Sequence, residues 1–227
     1  MAMIDRLLVI WGEPDAGNRH VIGHLVRSAG EFRFWYEHDL SNARARGFQQ
    51  LPEFPVLRRS DVPYVARYLF ALFAERIPAL TRPDAAQMMK SWGVECPDDQ
   101  FEVLARSGGI RATDRLELAE YRDPDDDLSS PLEFRVAGRR YIDDVAPLHV
   151  GDAVSLRREP DNCADPNAVI VDRDGRRAGY VPRQYARLLG GFLARGGSLE
   201  ARVVRELVLP DDIGKWVVRA ASRPSRR

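Results

Sequence analysis

The first part of the chain alternates between apolar and polar positions with a period of two residues. Residues 6–11 and 20–26 are apolar runs, and Phe32, Phe34 and Tyr36 occupy alternate positions of a third segment. Such patterns are typical of β-strands that bury one face. They predict a three-stranded meander at the amino-terminal end of the chain.

A helical period follows the meander. In residues 61–78 apolar side chains recur every three or four positions, which predicts one continuous helix. Residues 81–93 predict a second helix with Thr81 as its N-cap, and residues 96–109 predict a third helix that ends at paired glycines. Residues 110–121 alternate again, which indicates a strand that returns to the sheet.

Short strands and turns dominate the sequence beyond residue 131. A helical period covers residues 183–197, and strand-like runs lie at residues 133–144, 152–160, 167–182, 199–207 and 214–222. The dipeptide Asp174–Gly175 is one that tight hairpins prefer. Regularly spaced short strands with one helix predict a small, strongly bent β-barrel.

We therefore expect an α+β protein with two small domains. Residues 1–121 combine a β-meander with helices, and residues 132–227 form a β-barrel with one or two helices. Residues 122–131 contain Pro, Ser and four aspartates without an apolar period, which predicts an acidic linker.

Charge is distributed unevenly along the chain. The whole sequence has 34 basic and 34 acidic residues. Residues 1–130 hold 16 Lys and Arg against 21 Asp and Glu, a net charge of −5, whereas residues 131–227 hold 18 against 13, a net charge of +5. This asymmetry indicates that the carboxy-terminal part is the one that contacts phosphates.

The sequence predicts neither catalysis nor a cofactor. Cys96 and Cys163 lie far apart and the four histidines are scattered, so a zinc site or a disulfide framework is not expected. The paired acids Asp143–Asp144 and Asp211–Asp212 have no histidine beside them in a nucleophile or metal pattern. No run of about 18 apolar residues is present, so we expect a cytoplasmic protein without a membrane span.

Three segments of the first domain point to a known module. They read EFRFWYEHDL at residues 31–40, LPEFPVL at residues 51–57 and CPDDQFEVLARSGGIRATDRLEL at residues 96–118. With these segments, residues 5–120 resemble the amino-terminal subdomain of HipA-type serine/threonine kinase toxins. The remaining sequence has no Gly-rich phosphate loop and no H-R-D-type catalytic segment, so kinase activity is not expected.

Three ordered motifs occur in the second domain. They are GRRY at residues 138–141, LRREPDNxxDPNAV at residues 156–169 and GYVPRxxAxxL at residues 179–189. In these motifs residues 132–220 resemble the HIRAN domain. The resemblance implies an OB-like barrel that captures the 3′-hydroxyl end of single-stranded DNA.

The resemblance also implies roles for single residues. Asp165 corresponds to the carboxylate that accepts a hydrogen bond from the terminal hydroxyl. Tyr141 corresponds to the aromatic ring that stacks on a base, and Arg140 to the cation beside it. Tyr180 and Arg183 correspond to positions that contact the DNA backbone, and Arg183 also lies in the first turn of the predicted helix, where phosphate is attracted.

One position departs from the family pattern. Ala164 stands where DNA-end binders tend to have a second aromatic residue, and Trp216 in the last strand is a candidate replacement from across the barrel. Asn167 is a further candidate DNA-binding residue, although the sequence Asp165–Pro166–Asn167 also fits a plain turn.

Structural roles stand beside the functional ones elsewhere too. Tyr141 and Tyr180 also fit rings of the barrel core with exposed hydroxyls. The arginines Arg157, Arg176 and Arg177 are expected to form a solvated face that adds general attraction for nucleic acid.

Two functions follow from these observations. The first is a non-enzymatic protein that binds single-stranded DNA, preferably at free 3′-hydroxyl ends, in DNA repair, replication or defence, with a protein partner on its amino-terminal domain. The alternative is a non-catalytic interaction or regulatory module related to kinase toxins, whose DNA site has decayed. Ala164 favours the alternative, whereas Arg140, Tyr141 and Asp165 favour DNA binding.

Overall fold

The computed structural model describes residues 3–14, 18–207 and 216–223. The chain divides into two compact units, an amino-terminal unit that ends at Tyr121 and a carboxy-terminal unit that begins at Arg122. In the described residues each unit holds one β-sheet with few helices, so the protein is α+β. The paired acids Asp211–Asp212 lie outside these residues.

The amino-terminal unit is an antiparallel sheet with helices packed on one face. Its elements are β1 (Arg6–Gly12), β2 (Arg19–Ser28), β3 (Glu31–Tyr36), α1 (Ser41–Ala45), β4 (Tyr64–Ala66), α2 (Ala71–Ala74), α3 (Ala85–Trp92), α4 (Gln100–Ser107) and β5 (Leu116–Glu120). The strand order is β4-β3-β2-β1-β5. Phe34 and Tyr36 of β3 pack with Phe73 and Phe101 in the core. The predicted meander and the returning strand are confirmed.

The continuous helix predicted over residues 61–78 is wrong. Residues Tyr64–Ala66 form strand β4 along the edge of β3, and helix α2 spans Ala71–Ala74 alone. Val65, which fits the helical period, is 51% exposed. The edge of β3 offers hydrogen bonds to this backbone, and aromatic and β-branched residues suit a strand, so tertiary pairing overrides the local period.

Helices α3 and α4 have four ends in total, and local sequence signals explain three of them. Gly93 after α3 and Gly108 after α4 have φ angles of 73° and 74°, the left-handed conformation that ends helices at glycine. Asp99 caps α4 by accepting hydrogen bonds from the backbone of its first turn. The prediction of Thr81 as the N-cap of α3 is wrong, because that helix begins after Asp84.

The two N-cap aspartates make a matched pair for a stability test. The Asp99 carboxylate accepts from the N–H groups of Phe101 and Glu102 at 2.9 and 3.2 Å, whereas the Asp84 side chain makes no capping hydrogen bond. The Asp99 carboxylate also makes a bidentate pair with Arg27, with both N–O distances 2.7 Å. We expect Asp99→Ala to lower the free energy of unfolding by about 2 kcal/mol through loss of the cap and of this part-buried pair. Asp84→Ala, which also removes a pair with an arginine, should leave the urea midpoint almost unchanged. Equal midpoints for the two variants would contradict the assignment.

The carboxy-terminal unit is a curled antiparallel sheet. Its elements are β6 (Leu132–Arg135), a 3₁₀ turn (Arg139–Tyr141), β7 (Ala153–Arg158), β8 (Val169–Arg173), β9 (Arg176–Tyr180), α5 (Arg183–Ala194), β10 (Leu199–Glu206) and β11 (Trp216–Ser222). The strand order is β6-β11-β10-β7-β8-β9. The predicted hairpin at Asp174–Gly175 is confirmed, since β8 and β9 pair on either side of it. Helix α5 buries Tyr185, Leu188 and Leu189.

Residues 122–131, predicted as an acidic linker, are assigned to the carboxy-terminal unit and make specific contacts there. Leu128 is fully buried, and its carbonyl accepts from the N–H of Ser222 at 2.9 Å. Arg122 pairs with Asp126 at 3.2 Å and donates to the Ser130 carbonyl at 2.6 Å. The acidic composition of this segment therefore gave no sign that Leu128 is buried or that Arg122 bonds to both its acidic and its backbone groups.

The described residues contain neither a candidate membrane span nor a candidate metal cluster. No helix there combines the length and the apolar character needed to cross a lipid bilayer. Within the same residues, no group of three or more His, Cys, Asp and Glu side chains is arranged to hold a metal ion.

Candidate nucleic-acid interface

The edges of the curled sheet meet at one bridge. Ala137, just after β6, and Tyr180, at the end of β9, exchange both backbone hydrogen bonds at 2.8 Å. Gly179 permits this contact, because a Cβ atom at that position would lie 2.9 Å from the Ala137 oxygen. The bridge places the 3₁₀ turn Arg139–Tyr141 directly after the point of closure. Two sequence motifs are thus joined in space.

The 3₁₀ turn presents an aromatic ring to solvent. Tyr141 is 67% exposed, and the Arg140 guanidinium lies over its ring, 4.7 Å from the centroid. An exposure this large contradicts a core role for Tyr141. A solvent-facing ring with a cation beside it can stack on a nucleic-acid base.

Arg139, which sequence reasoning did not single out, anchors this turn. Its guanidinium donates to the carbonyls of Ala146 and Ala178, the former at 3.2 Å. The two adjacent arginines of the GRRY motif therefore differ in role. Arg139 holds backbone together, while Arg140 lies at the surface. The sequence offers no signal that separates them.

Asp165 lies in the loop between β7 and β8, and its two carboxylate oxygens face different partners. Oδ1 accepts from the backbone N–H of Asn167 at 2.9 Å, and Oδ2 lies 3.6 Å from Nε of Arg183. The turn predicted for residues 165–167 is therefore present. The structure also brings together Asp165 and Arg183, two predicted site residues from different motifs, while the Asn167 side chain is exposed.

Tyr180 belongs to a second polar cluster. Its ring is half-buried, and its hydroxyl donates to Oε2 of Glu159 at 3.0 Å. Arg177 ion-pairs with the other oxygen of Glu159 and lies 3.3 Å from the Tyr180 hydroxyl. Arg177 was expected to belong to a solvated face. It is exposed, but its guanidinium also pairs with the Glu159 carboxylate that accepts a hydrogen bond from the Tyr180 hydroxyl. Nothing in the sequence signals this contact of Arg177 with Glu159.

Asn162 links the two clusters. Its amide nitrogen donates to Glu159 at 2.6 Å, and its amide oxygen accepts from the backbone N–H groups of Ala164 and Asp165 at 3.0 and 3.1 Å. The crowded polar residues of the 156–169 motif therefore form one network that shapes the loop. At one end of this network Arg177 of β9 pairs with Glu159, and at the other end Arg183 of α5 lies near Asp165.

Protonation states in this network follow from their surroundings. Burial by itself would raise the pKa of Glu159, but hydrogen bonds from Asn162 and Tyr180, together with the Arg177 charge, hold it below its ordinary value. Burial and the hydrogen bond to Glu159 raise the pKa of Tyr180. At neutral pH the loop thus rests on an ionised Glu159 and a protonated Tyr180.

The lowered pKa of Glu159 makes its contribution to stability depend on pH. That contribution is complete when the pH is above the pKa of glutamate in the unfolded chain, about 4.3. It is lost as the pH falls through the lower pKa of Glu159 in the folded protein. We expect acidification from pH 7 to pH 3 to lower the thermal midpoint of the wild type more than that of Glu159→Gln. Glu200→Gln, which changes an exposed carboxylate, should follow the wild type. An equal fall of the thermal midpoint between pH 7 and pH 3 in all three proteins would contradict the role of Glu159.

Cations surround the network. Arg183 is the first residue of α5, and no side chain caps that end of the helix. Arg157 and Arg158 of β7 and Arg187 of α5 are exposed, and none of them forms an ion pair within the part of the chain described above. An uncapped helix start beside arginines attracts phosphate.

The remaining sequence candidates lie at the margins of this surface. Ala164 is exposed beside Asp165. Trp216 is half-buried at the start of β11, where its carbonyl accepts from the N–H of Val136 at 2.8 Å. Its role as a replacement for the aromatic absent at residue 164 stays a prediction.

Known proteins are similar to part of this chain. A family model described as the HIRAN domain matches residues 131–212. A curated relative, the Fanconi-associated nuclease 1 homolog of Arabidopsis thaliana, is 30% identical over 70 residues, which are 30% of this chain and 8% of that protein. The chain thus matches less than a tenth of that relative.

Two solved structures are similar to part of this chain. The HIRAN domain of human HLTF is 22% identical with a TM-score of 0.36, and the alignment covers 42% of this chain and 77% of that chain. A protein from Lactobacillus plantarum is 28% identical with a TM-score of 0.33, over 39% of this chain and 91% of that chain.

The family match includes all three sequence motifs and lies within the carboxy-terminal unit. The resemblance of residues 5–120 to HipA-type kinase toxins lies outside the match and stays a prediction. The match supports a HIRAN domain at residues 131–212 of this chain.

Proposed function

We propose that the carboxy-terminal unit binds single-stranded DNA and prefers a free 3′-hydroxyl end, without catalysing a reaction. The observation that carries the proposal is the exposed Tyr141 ring beside Arg140, in a domain that matches the HIRAN model. A protein that binds single-stranded DNA needs an exposed aromatic ring on which a base can stack, and cations that contact the phosphates. Repair or replication of DNA, or defence against foreign DNA, is the setting we propose.

Asp165 suits recognition of the strand end. One oxygen of its carboxylate is used by the loop, and the second faces the guanidinium of Arg183 at 3.6 Å, longer than a hydrogen bond. That oxygen keeps lone pairs for a hydroxyl donor. A terminal 3′-phosphate, by contrast, would bring negative charge to a carboxylate. The arrangement therefore favours a hydroxyl over a phosphate at the strand end.

Fluorescence anisotropy at two salt concentrations tests the proposal. The ligands are a short single strand with a 3′-hydroxyl, the same strand with a 3′-phosphate, and a blunt duplex. We expect the tightest binding to the first. Equal and weak binding to all three would instead support the alternative, an interaction module whose DNA site has decayed. The exposed Ala164, in place of an aromatic residue, favours that alternative.

Arg183 is expected to contribute general affinity. Arg183→Ala should weaken binding to both single strands by the same factor, and the slope of log K against log salt should become shallower by about 0.7. Arg195→Ala, at the opposite end of the same helix, is the matched control and should keep the wild-type slope. An unchanged slope in Arg183→Ala would show that its guanidinium does not meet phosphate.

A further inference from the structure

The outer edge of the amino-terminal sheet is open at β4. This strand is the last in the sheet order, and its partner is β3, with Phe34 opposite Tyr64 and Phe32 opposite Ala66. In the described residues no strand pairs with the other side of β4. An open edge is a ready template for an added strand.

The hydrogen-bond pattern of β3 shows which way its backbone groups point. The N–H of Tyr36 donates to the carbonyl of Arg58, on the β4 side, at 2.9 Å. The next N–H, of Glu37, donates to the carbonyl of Ile22 of β2 at 2.9 Å. Because these directions alternate along a strand, the even-numbered residues of β3 face β4.

The backbone N–H and C=O groups of Val65 are therefore directed away from β3, toward the open edge. Phe34 and Phe32 use their backbone groups on Tyr64 and Ala66, which lie on either side of Val65. The N–H and C=O of Val65 then project from the open edge. They are the pair of groups that an added antiparallel or parallel strand would engage.

Apolar side chains surround this edge. Residues 56–68 supply five large exposed ones, with exposed fractions of 59% for Val56, 38% for Leu57, 58% for Val62, 51% for Val65 and 83% for Tyr68. The Tyr64 hydroxyl hydrogen-bonds both backbone groups of Val56 at 2.9 Å, so this segment folds back onto β4. Exposed apolar side chains close in sequence to an open strand edge can add contacts for an added strand.

Residues 56–68 carry a net charge of +2, from three arginines against the one carboxylate of Asp61. Arg58, Arg59 and Arg67 are exposed, and Arg58 lies 4.4 Å from the centroid of the Tyr64 ring. None of the three forms an ion pair within the described ranges of the chain. A strand edge flanked by unneutralised cations is complementary to an acidic segment.

We propose that the β4 edge is the docking site for an extended, acidic segment of a partner protein, which adds to the sheet as a further strand. Main-chain hydrogen bonds to Val65 would supply affinity, and the exposed apolar and arginine side chains would supply selectivity. A second copy of this chain is a poorer occupant, because it would bring a second set of the same exposed arginines to an edge that already carries positive charge. The proposal concerns the amino-terminal unit and does not depend on DNA binding.

Selection from a phage-displayed library of random peptides tests this proposal on the full chain. We expect enrichment of peptides that alternate Asp or Glu with apolar residues, and at least tenfold weaker binding of the synthesised winner to Val65→Pro. Proline removes the outward N–H but leaves the pairing with β3 intact. Failure to enrich acidic peptides, or equal binding by Val65→Pro, would overturn the proposal.

Two further measurements keep the test decisive. The double variant Arg59→Gln/Arg67→Gln should bind the peptide about tenfold more weakly, whereas Arg82→Gln, an exposed arginine paired with Asp84, should bind normally. In the wild type, the peptide should slow hydrogen exchange at the Val65 amide at least tenfold, which is independent of any variant. Unchanged exchange, or dimerisation of the chain that Val65→Pro abolishes, would overturn the proposed occupant. Binding of single-stranded DNA by Val65→Pro should equal that of the wild type.

Discussion

Replacement of Tyr141 by alanine is expected to weaken binding of single-stranded DNA by a factor of about 5 to 150. The ring is 67% exposed, so the change removes little packing and should leave the unfolding midpoint nearly unaltered. Stacking of a base on an aromatic ring contributes about 1–3 kcal/mol, which corresponds to that range of affinity. Fluorescence anisotropy with a short strand bearing a 3′-hydroxyl measures the effect.

Two variants separate base stacking from loss of the hydroxyl and from nonspecific contact with exposed rings. Tyr141→Phe keeps the stacking face and should bind within a few-fold of the wild type. Tyr68→Ala removes a tyrosine of the amino-terminal unit that is 83% exposed, and should bind DNA normally. Normal binding by Tyr141→Ala would contradict the proposed stacking role. Equal losses in Tyr141→Ala and Tyr68→Ala would mean that exposed rings contribute without any defined site.

Local signals predict much of this fold. The alternation in Phe32, Phe34 and Tyr36 reflects burial of one strand face, and glycine in the left-handed conformation ends α3 and α4 as expected. The Asp174–Gly175 turn likewise depends on the conformations of its own two residues. Residues 61–78 fail as a helix, because the deciding interaction is pairing with β3, some thirty residues earlier in the chain. A helical period in one segment carries no information about that pairing.

The candidate site shows the same division. The motifs contain Tyr141, Asp165 and Arg183, and the structure brings the last two into one ion pair. The contact between Arg177 and Glu159 depends on the register of β8 with β9 and on the path of the loop after β7. Neither follows from residue types. Arg177 therefore looks like any exposed arginine in the sequence, although it holds the carboxylate on which the loop depends.

Substitution of Asp165 by asparagine should abolish the preference for a 3′-hydroxyl over a 3′-phosphate. A hydrogen bond to a charged group contributes about 1.5–3 kcal/mol, so affinity for the hydroxyl end should fall about tenfold or more. Affinity for the phosphate end should hold or rise, because the repelling negative charge is gone. Asparagine keeps one oxygen for the N–H of Asn167, which the loop uses at 2.9 Å. The loop should therefore fold as before.

Asp161→Asn is the matched control, since Asp161 lies exposed in the same loop and carries the same charge. If charge in the loop alone governs the choice between strand ends, both variants should lose the preference to the same degree. If the Asp165 oxygen that faces Arg183 accepts the hydroxyl, Asp165→Asn alone should lose it. A hydroxyl preference that survives in Asp165→Asn would remove this carboxylate from end recognition. Tyr141 would then act in single-strand binding without selection of the end.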